Sequence, residues 1–164
     1  MRILINLLMS LLCIFGCSTT SDTISAKFST LKNTDYSKLE NISITYRRNS
    51  YFIKYKDVDY IIKKSSLTSK IRSIKKRNYD KNKNISLSKE DISHIEYAIT
   101  MLDSLNLQNI SIDKNRNISL SFLWGRKCTY YFLNLSSKST LEEIKKVHYN
   151  KYEDEWYYQK VCAE

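Results

Sequence analysis

Between residues 42 and 62 the chain alternates apolar and polar side chains three times over: Ile42, Ile44 and Tyr46, then Tyr51, Ile53 and Tyr55, then Val58, Tyr60 and Ile62. A period of two puts every second residue on one face, which marks half-buried strands rather than helices. Only short gaps separate the runs, so the strands are expected to pair as an antiparallel meander. The turns must be made without the usual residues, because Pro is absent and Gly is limited to two. Asn, Asp and Ser tolerate left-handed backbone or bond to it locally. They stand where turns are needed, in Arg48-Asn49-Ser50, Asp113-Lys114-Asn115-Arg116-Asn117 and Glu153-Asp154-Glu155.

Strand patterning resumes at 110–112, 118–124 and 128–133, and residues 148–152 and 156–161 are expected to close the chain as a hairpin turned at the acidic triplet. Three helices are expected between these runs. Leu67, Ile71 and Ile74 form an i, i+4, i+7 stripe, with Lys70, Arg72, Lys75, Lys76 and Arg77 on the other faces. After a polar loop over 79–87, Ser88 and Asp91 have the spacing of a capping box, and Leu87 with Ile92 that of a hydrophobic staple. Ile92, Ile95, Ile99 and Leu102 then make a buried stripe. A third, short helix is expected near 140–147, opened by Thr140 with Glu143 three residues on. The class is α+β: a small single domain with an antiparallel sheet, in two meanders and a C-terminal hairpin, packed with two to three helices. Strands in consecutive runs disfavour a parallel, Rossmann-type order.

The first residues are a different kind of sequence. One cation, Arg2, precedes an apolar run from Ile3 to Phe15 that is broken only by Asn6 and Ser10. About a dozen apolar residues is the length of a signal-peptide core, whereas a membrane-spanning helix needs about 20. The run closes on Ile14-Phe15-Gly16-Cys17, with an aliphatic residue three before the cysteine and a small residue directly before it. This segment resembles the lipobox of bacterial lipoproteins, and the resemblance covers residues 1–17 alone. It implies cleavage before Cys17, a diacylglyceryl group on the Cys17 thiol and acylation, such as palmitate, of the freed amine. Two or three chains, at about 0.8 kcal/mol per buried CH₂, make such an attachment effectively permanent. By the sorting rules of these lipoproteins, Ser18 in place of an aspartate points to the outer membrane, facing the periplasm.

The expected organisation is therefore a signal peptide over 1–16, a lipidated N-terminus and tether over 17–34, and a globular domain over 35–164. The tether segment is rich in Ser and Thr, but Ile24, Phe28 and Leu31 fall at helical spacing within it, so an extended tether and a short helix both fit.

Lys, Asn, Ile and Tyr dominate the composition, as an AT-rich genome alone would produce. The net charge of +10 is thus weak testimony by itself. Its distribution says more. Residues 47–83 hold thirteen Lys or Arg against three acids, which accounts for the whole excess, while 84–164 nearly balances. Codon usage does not explain that clustering. Arg47, Arg48, Lys63, Lys64, Lys70, Arg72, Lys75, Lys76 and Arg77 are the expected basic surface.

Candidates for chemistry are few. With Cys13 removed and Cys17 lipidated, Cys128 and Cys162 remain as an even pair in a compartment that permits a disulfide. Two thiols and two distant histidines, His94 and His148, lack zinc-ligand spacing, and no cofactor is expected. There is no G-x-S-x-G, and a lone mature glycine, Gly125, excludes Gly-rich phosphate loops. The carboxylates Glu142, Glu143, Glu153, Asp154 and Glu155 fit a helix start and a hairpin turn. In the aromatic clusters around Tyr131 and over Trp156, Tyr157 and Tyr158, adjacent rings face opposite sides of a strand. Each cluster either meets a second packed layer or offers a contact surface for a partner.

A non-enzymatic binding or scaffold role at the envelope is the leading expectation. Membrane lipid would be held through Cys17, and anionic headgroups or an acidic envelope protein through the basic residues; nucleic acid is not an expected partner. An inhibitor or immunity protein against a periplasmic toxin or hydrolase is the alternative, and an envelope hydrolase the second.

Overall fold

The computed structural model describes residues 19–65, 70–77, 87–125 and 127–163, with side chains from residue 24 onward. Residues 1–16 and the lipid-bearing Cys17 of the expectation lie outside the described residues, as does Leu67. No helix among the described residues is long and apolar enough to cross a membrane. The chain divides into two compact units at Tyr36/Ser37. In the first, helix α1 takes Thr19–Lys32, so this stretch is helical rather than extended. It ends with Asn33 N–H donating to the Ser29 carbonyl, and the Tyr36 hydroxyl donates to the Leu31 carbonyl at 3.0 Å.

The second unit is one antiparallel sheet of nine strands: β1 (Ile42–Arg47), β2 (Ser50–Tyr55), β3 (Val58–Lys64), β4 (Ile71–Lys76), β5 (Asn109–Ile112), β6 (Ile118–Trp124), β7 (Cys128–Asn134), β8 (Asn150–Glu153) and β9 (Trp156–Cys162). Helix α2 (Lys89–Ser104) stands between β4 and β5 in the chain. In space the strand order is β4-β3-β2-β1-β5-β6-β7-β9-β8. Each meander therefore runs outward from the central β1/β5 pair, and each is preceded by a helix. The expected α+β class with two to three packed helices is overturned: the fold is β-rich, and the described residues contain only two short helices.

Two expected helices are absent for identifiable reasons. Residues 71–76 form the edge strand β4. Its register against β3 shifts between Lys63 and Lys64, where Lys63 faces Ser73 but Lys64 faces Ile71. The extra residue, Arg72, is a bulge, and it brings Ile71 and Ile74 to one side of the strand. Three-residue spacing in a bulged strand thus imitates a helical stripe. At 140–147 the capping bonds do form: Thr140 N–H donates to Glu143 Oε2 at 2.8 Å, and Glu143 N–H to Thr140 Oγ1 at 3.3 Å. Lys145 then takes φ +56°, and the segment stays a series of turns.

The hairpins β1–β2 and β2–β3 are closed by two residues each, Arg48-Asn49 and Lys56-Asp57, all four with positive φ. That is the type I′ geometry whose twist matches paired strands. On the inner face Ile42, Ile44, Ile53, Ile62, Ile110, Leu120 and Phe132 are buried with Ile95, Ala98, Ile99 and Leu102 of α2. Full burial of each such aliphatic side chain contributes about 1.5–3 kcal/mol. Ser88 caps α2 in a complete capping box with Asp91.

The helix is also fastened to the sheet at both ends. Near its start, Asp91 accepts from Lys56 Nζ at 2.7 Å and from the Tyr55 hydroxyl at 3.1 Å. Near its end, Asp103 accepts from Lys64 Nζ at 2.8 Å and from the Tyr51 hydroxyl at 2.9 Å. The Lys56 ammonium, then the Ser88 backbone N–H, hold the Asp91 carboxyl well below the usual carboxylate range. Burial, then the bond to Asp103, pushes the Tyr51 phenol well up.

Among the described residues the opposite face is covered only in part. Leu133, Leu135 and Tyr149 form a buried cluster there, with Tyr131, Leu141, Ile144 and Tyr157 packed against it. The covering segment is held by buried Asn117, which donates to Asp113 and Ser139 and accepts from Ser136 N–H at 3.0 Å. Cys128 and Cys162 are directly opposite each other on β7 and β9 and form a disulfide, with Cα atoms 4.0 Å apart.

Candidate functional site

Strand register sets which cations share a surface. Because Ile53 faces the core, Phe52 and Lys54 face away from it. Phe52 pairs across to Ile61, Lys54 to Asp59, Ile61 to Lys75 and Lys63 to Ser73. Arg77 continues β4 opposite Asp59, its N–H donating to the Asp59 carbonyl at 2.8 Å. The outer face of β1–β4 therefore presents Arg47, Lys54, Lys63, Lys75 and Arg77 around Phe52 and Ile61, with Asp59 as the carboxylate among them.

The two arginines converge. The Arg47 guanidinium carbon lies 4.4 Å from the Phe52 ring centroid, and that of Arg77 5.9 Å from the same centroid. Attraction of a cation to the ring holds both side chains over a half-buried aromatic. Among the described residues, no carboxylate lies within ion-pair distance of Arg47, Lys63, Lys75 or Arg77. Lys54 reaches Asp57 at 3.9 Å, with both side chains largely exposed, a pair that contributes little. Neighbouring strands are about 4.8 Å apart, so cations on adjacent strands stand within one screening length and their fields add.

The expected basic residues thus separate into groups. Arg47, Lys63, Lys75 and Arg77 lie on the outer face. Arg48 sits in the β1–β2 turn, Lys70 and the bulge residue Arg72 lie along the β4 edge, and Lys76, opposite the buried Tyr60, turns to the inner side. Lys64 turns to the helix side and is bonded to Asp103. Lys54, Phe52 and Asp59 were not in the expected set. Their signal was the alternation itself, since each is one residue out of phase with a core position.

The expected aromatic surface is redistributed. Trp156 is 5 % exposed and belongs to the core, which removes it from any open contact surface. Tyr131 and Tyr157 pack against the Leu133 cluster. Tyr158 makes an edge contact with Tyr152, at 5.6 Å between centroids. The second packed layer is the reading that holds for Tyr131 and Tyr157, built from turns rather than helices.

His94 stacks on Tyr55 with centroids 5.2 Å apart, and its Nε2 is buried without a hydrogen-bond partner. His148 is exposed in the turns before β8. The Tyr149 hydroxyl is likewise buried without a partner, and burial pushes it up to about 12. Among the described residues no group of three His, Cys, Asp or Glu is placed to hold a metal ion. Comparison with protein-family models, with curated proteins and with solved structures finds no match to this chain.

Proposed function

We propose that this protein is a lipid-anchored, non-enzymatic binding module of the bacterial envelope, attached through Cys17 and facing the periplasm from the outer membrane. Its working surface is the outer face of β1–β4, and its partner carries negative charge. The observation that supports this reading is the open face itself, where Arg47, Lys63, Lys75 and Arg77 have no carboxylate partner among the described residues. Charges left unpaired on a folded surface repel one another, and an anionic partner relieves that repulsion. Each cation brought against an anionic membrane surface adds about 1 kcal/mol, weakened by salt.

Two measurements test the halves of the proposal. Intact-mass analysis of protein taken from its own envelope should show residues 1–16 gone and acyl mass on Cys17, with Cys17→Ser shifting the protein out of the membrane fraction. A bare thiol in the native product overturns the anchor. The detergent-extracted protein should elute from a phosphate-bearing resin at higher salt than the K63Q/K75Q variant. Coincident elution overturns the basic face as the working surface.

A further inference from the structure

From the way the two arginines meet one ring, we infer that the outer face of β1–β4 contains a specific site for a phosphate group carried on a sugar-like, hydroxyl-rich headgroup. The inference rests on the reading of this face as the working surface, and it narrows the partner from any anion to one chemistry.

Only seven of the 27 cationic residues are arginine, yet two of them, Arg47 and Arg77, come from different strands to the ring of Phe52. A guanidinium held near a ring by cation–π attraction spends none of its N–H groups on an acceptor, so the fork stays free for a two-oxygen anion. A lysine offers a point charge instead. The attraction to the ring also restrains side chains that are otherwise costly to order, so the donors are partly arranged before the ligand arrives.

Beside this pair lies a groove of about 260 Å³ lined by Ser43, Phe52, Ile53, Lys54, Asp59, Tyr60 and Arg77. Its contents are mixed in a way that a plain polyanion does not need. Arg77 and Lys54 attract phosphate, whereas Asp59 repels it but accepts hydrogen bonds from hydroxyls, as Ser43 also does. Asp59 is directly opposite Lys54 and beside Arg77. A phosphate at the arginine end, with hydroxyls reaching Asp59 and Ser43, satisfies all of these groups together. An inorganic anion satisfies only the cations. A lipid headgroup and a free solute both present this chemistry, and the titration distinguishes the two sources.

The test titrates the detergent-extracted full protein with glucose 6-phosphate, glucose and inorganic phosphate by calorimetry, then with micelles doped with a phospholipid of hydroxyl-rich headgroup, phosphatidylinositol. Glucose 6-phosphate should bind about tenfold or more tightly than either fragment, because charge-assisted and hydroxyl bonds act together. R77Q should lose about tenfold in affinity, and R77K should lose nearly as much despite keeping its charge. K114Q, in the exposed turn between β5 and β6, should bind glucose 6-phosphate as the parent does. D59N should weaken the sugar preference while leaving phosphate binding intact. Tighter binding to the doped micelle assigns the lipid source; tighter binding to the soluble ligand assigns a free one. Should R77K and R77Q, shown folded by circular dichroism, bind as the parent does, the site is wrong. Equal affinities for glucose 6-phosphate and inorganic phosphate reject the headgroup while leaving the basic face standing. Unchanged resin elution by K63Q/K75Q rejects the basic face itself.

Discussion

Both meanders bury their inner residues in one apolar layer, but their outer faces part company. Strands β1–β4 turn Arg47, Lys63, Lys75 and Arg77 outward, while β7 and β9 turn out Tyr131, Leu133 and Tyr157. The second set recruited a cover, the turn-rich segment 135–149, and Leu133 became 1 % exposed. Among the described residues the first set has no such cover and stays exposed; covering a cation without a counter-charge costs far more than the apolar contact returns. The same pleat thus yields a packed layer on one side of the molecule and a charged, open surface on the other. What decides between them is the chemistry of the residues out of phase with the core.

This contrast can be broken by measurement. The largest effect is expected at the covalent tie between β7 and β9. Replacing Cys128 and Cys162 with Ser should cost about 4 kcal/mol in denaturant unfolding, by loop entropy alone. A loss near zero would mean that packing already fixes this end of the sheet. Next comes Leu133→Ala, which empties a buried position under the cover and should cost about 3 kcal/mol. A cost below about 1 kcal/mol would show the cover to be loose rather than packed.

Smaller effects are expected where α2 is held. Ser88→Ala should cost about 1 kcal/mol through the lost cap. Asp91 gives that region a pH signature. Its carboxyl is depressed in the fold, so its contribution is complete above the free carboxylate's pKa and fades as pH falls through the lower folded value. Below about pH 4 the parent should lose thermal stability more steeply than Asp91→Asn; parallel pH curves would remove Asp91 as a fastening. The smallest effect belongs to the open face. Lys63→Gln should change stability by less than about 0.5 kcal/mol. A larger loss there would mean that this surface is structural.

The meander β1–β3 was plain in the sequence because both its faces obey the alternation, with Ile42, Ile44, Ile53, Val58, Tyr60 and Ile62 all inward. Strand β4 was not, because Arg72 is an inserted residue and insertion changes the apparent period. The turns at 140–147 were misleading in another way. Thr140 and Glu143 make true capping bonds, but local capping does not guarantee a second turn when Lys145 takes a left-handed conformation. For the site, the clustering of charge between residues 47 and 83 was visible, but the face was not. Which cations stand together depends on pairings such as Lys54 with Asp59, and Lys64 was lost to Asp103 across 39 positions of chain.

Both outermost strands, β4 and β8, carry a register shift, at Lys63/Lys64 against the one and between Lys151 and Glu153 in the other. An open sheet ordinarily offers its free margins as templates on which another copy can add a strand. Here each margin is interrupted by an extra residue, Arg72 or Tyr152, and the first is also lined with cations. Growth of the sheet from chain to chain is thereby frustrated at both ends, and a molecule built on one large sheet is kept from becoming the seed of a fibre.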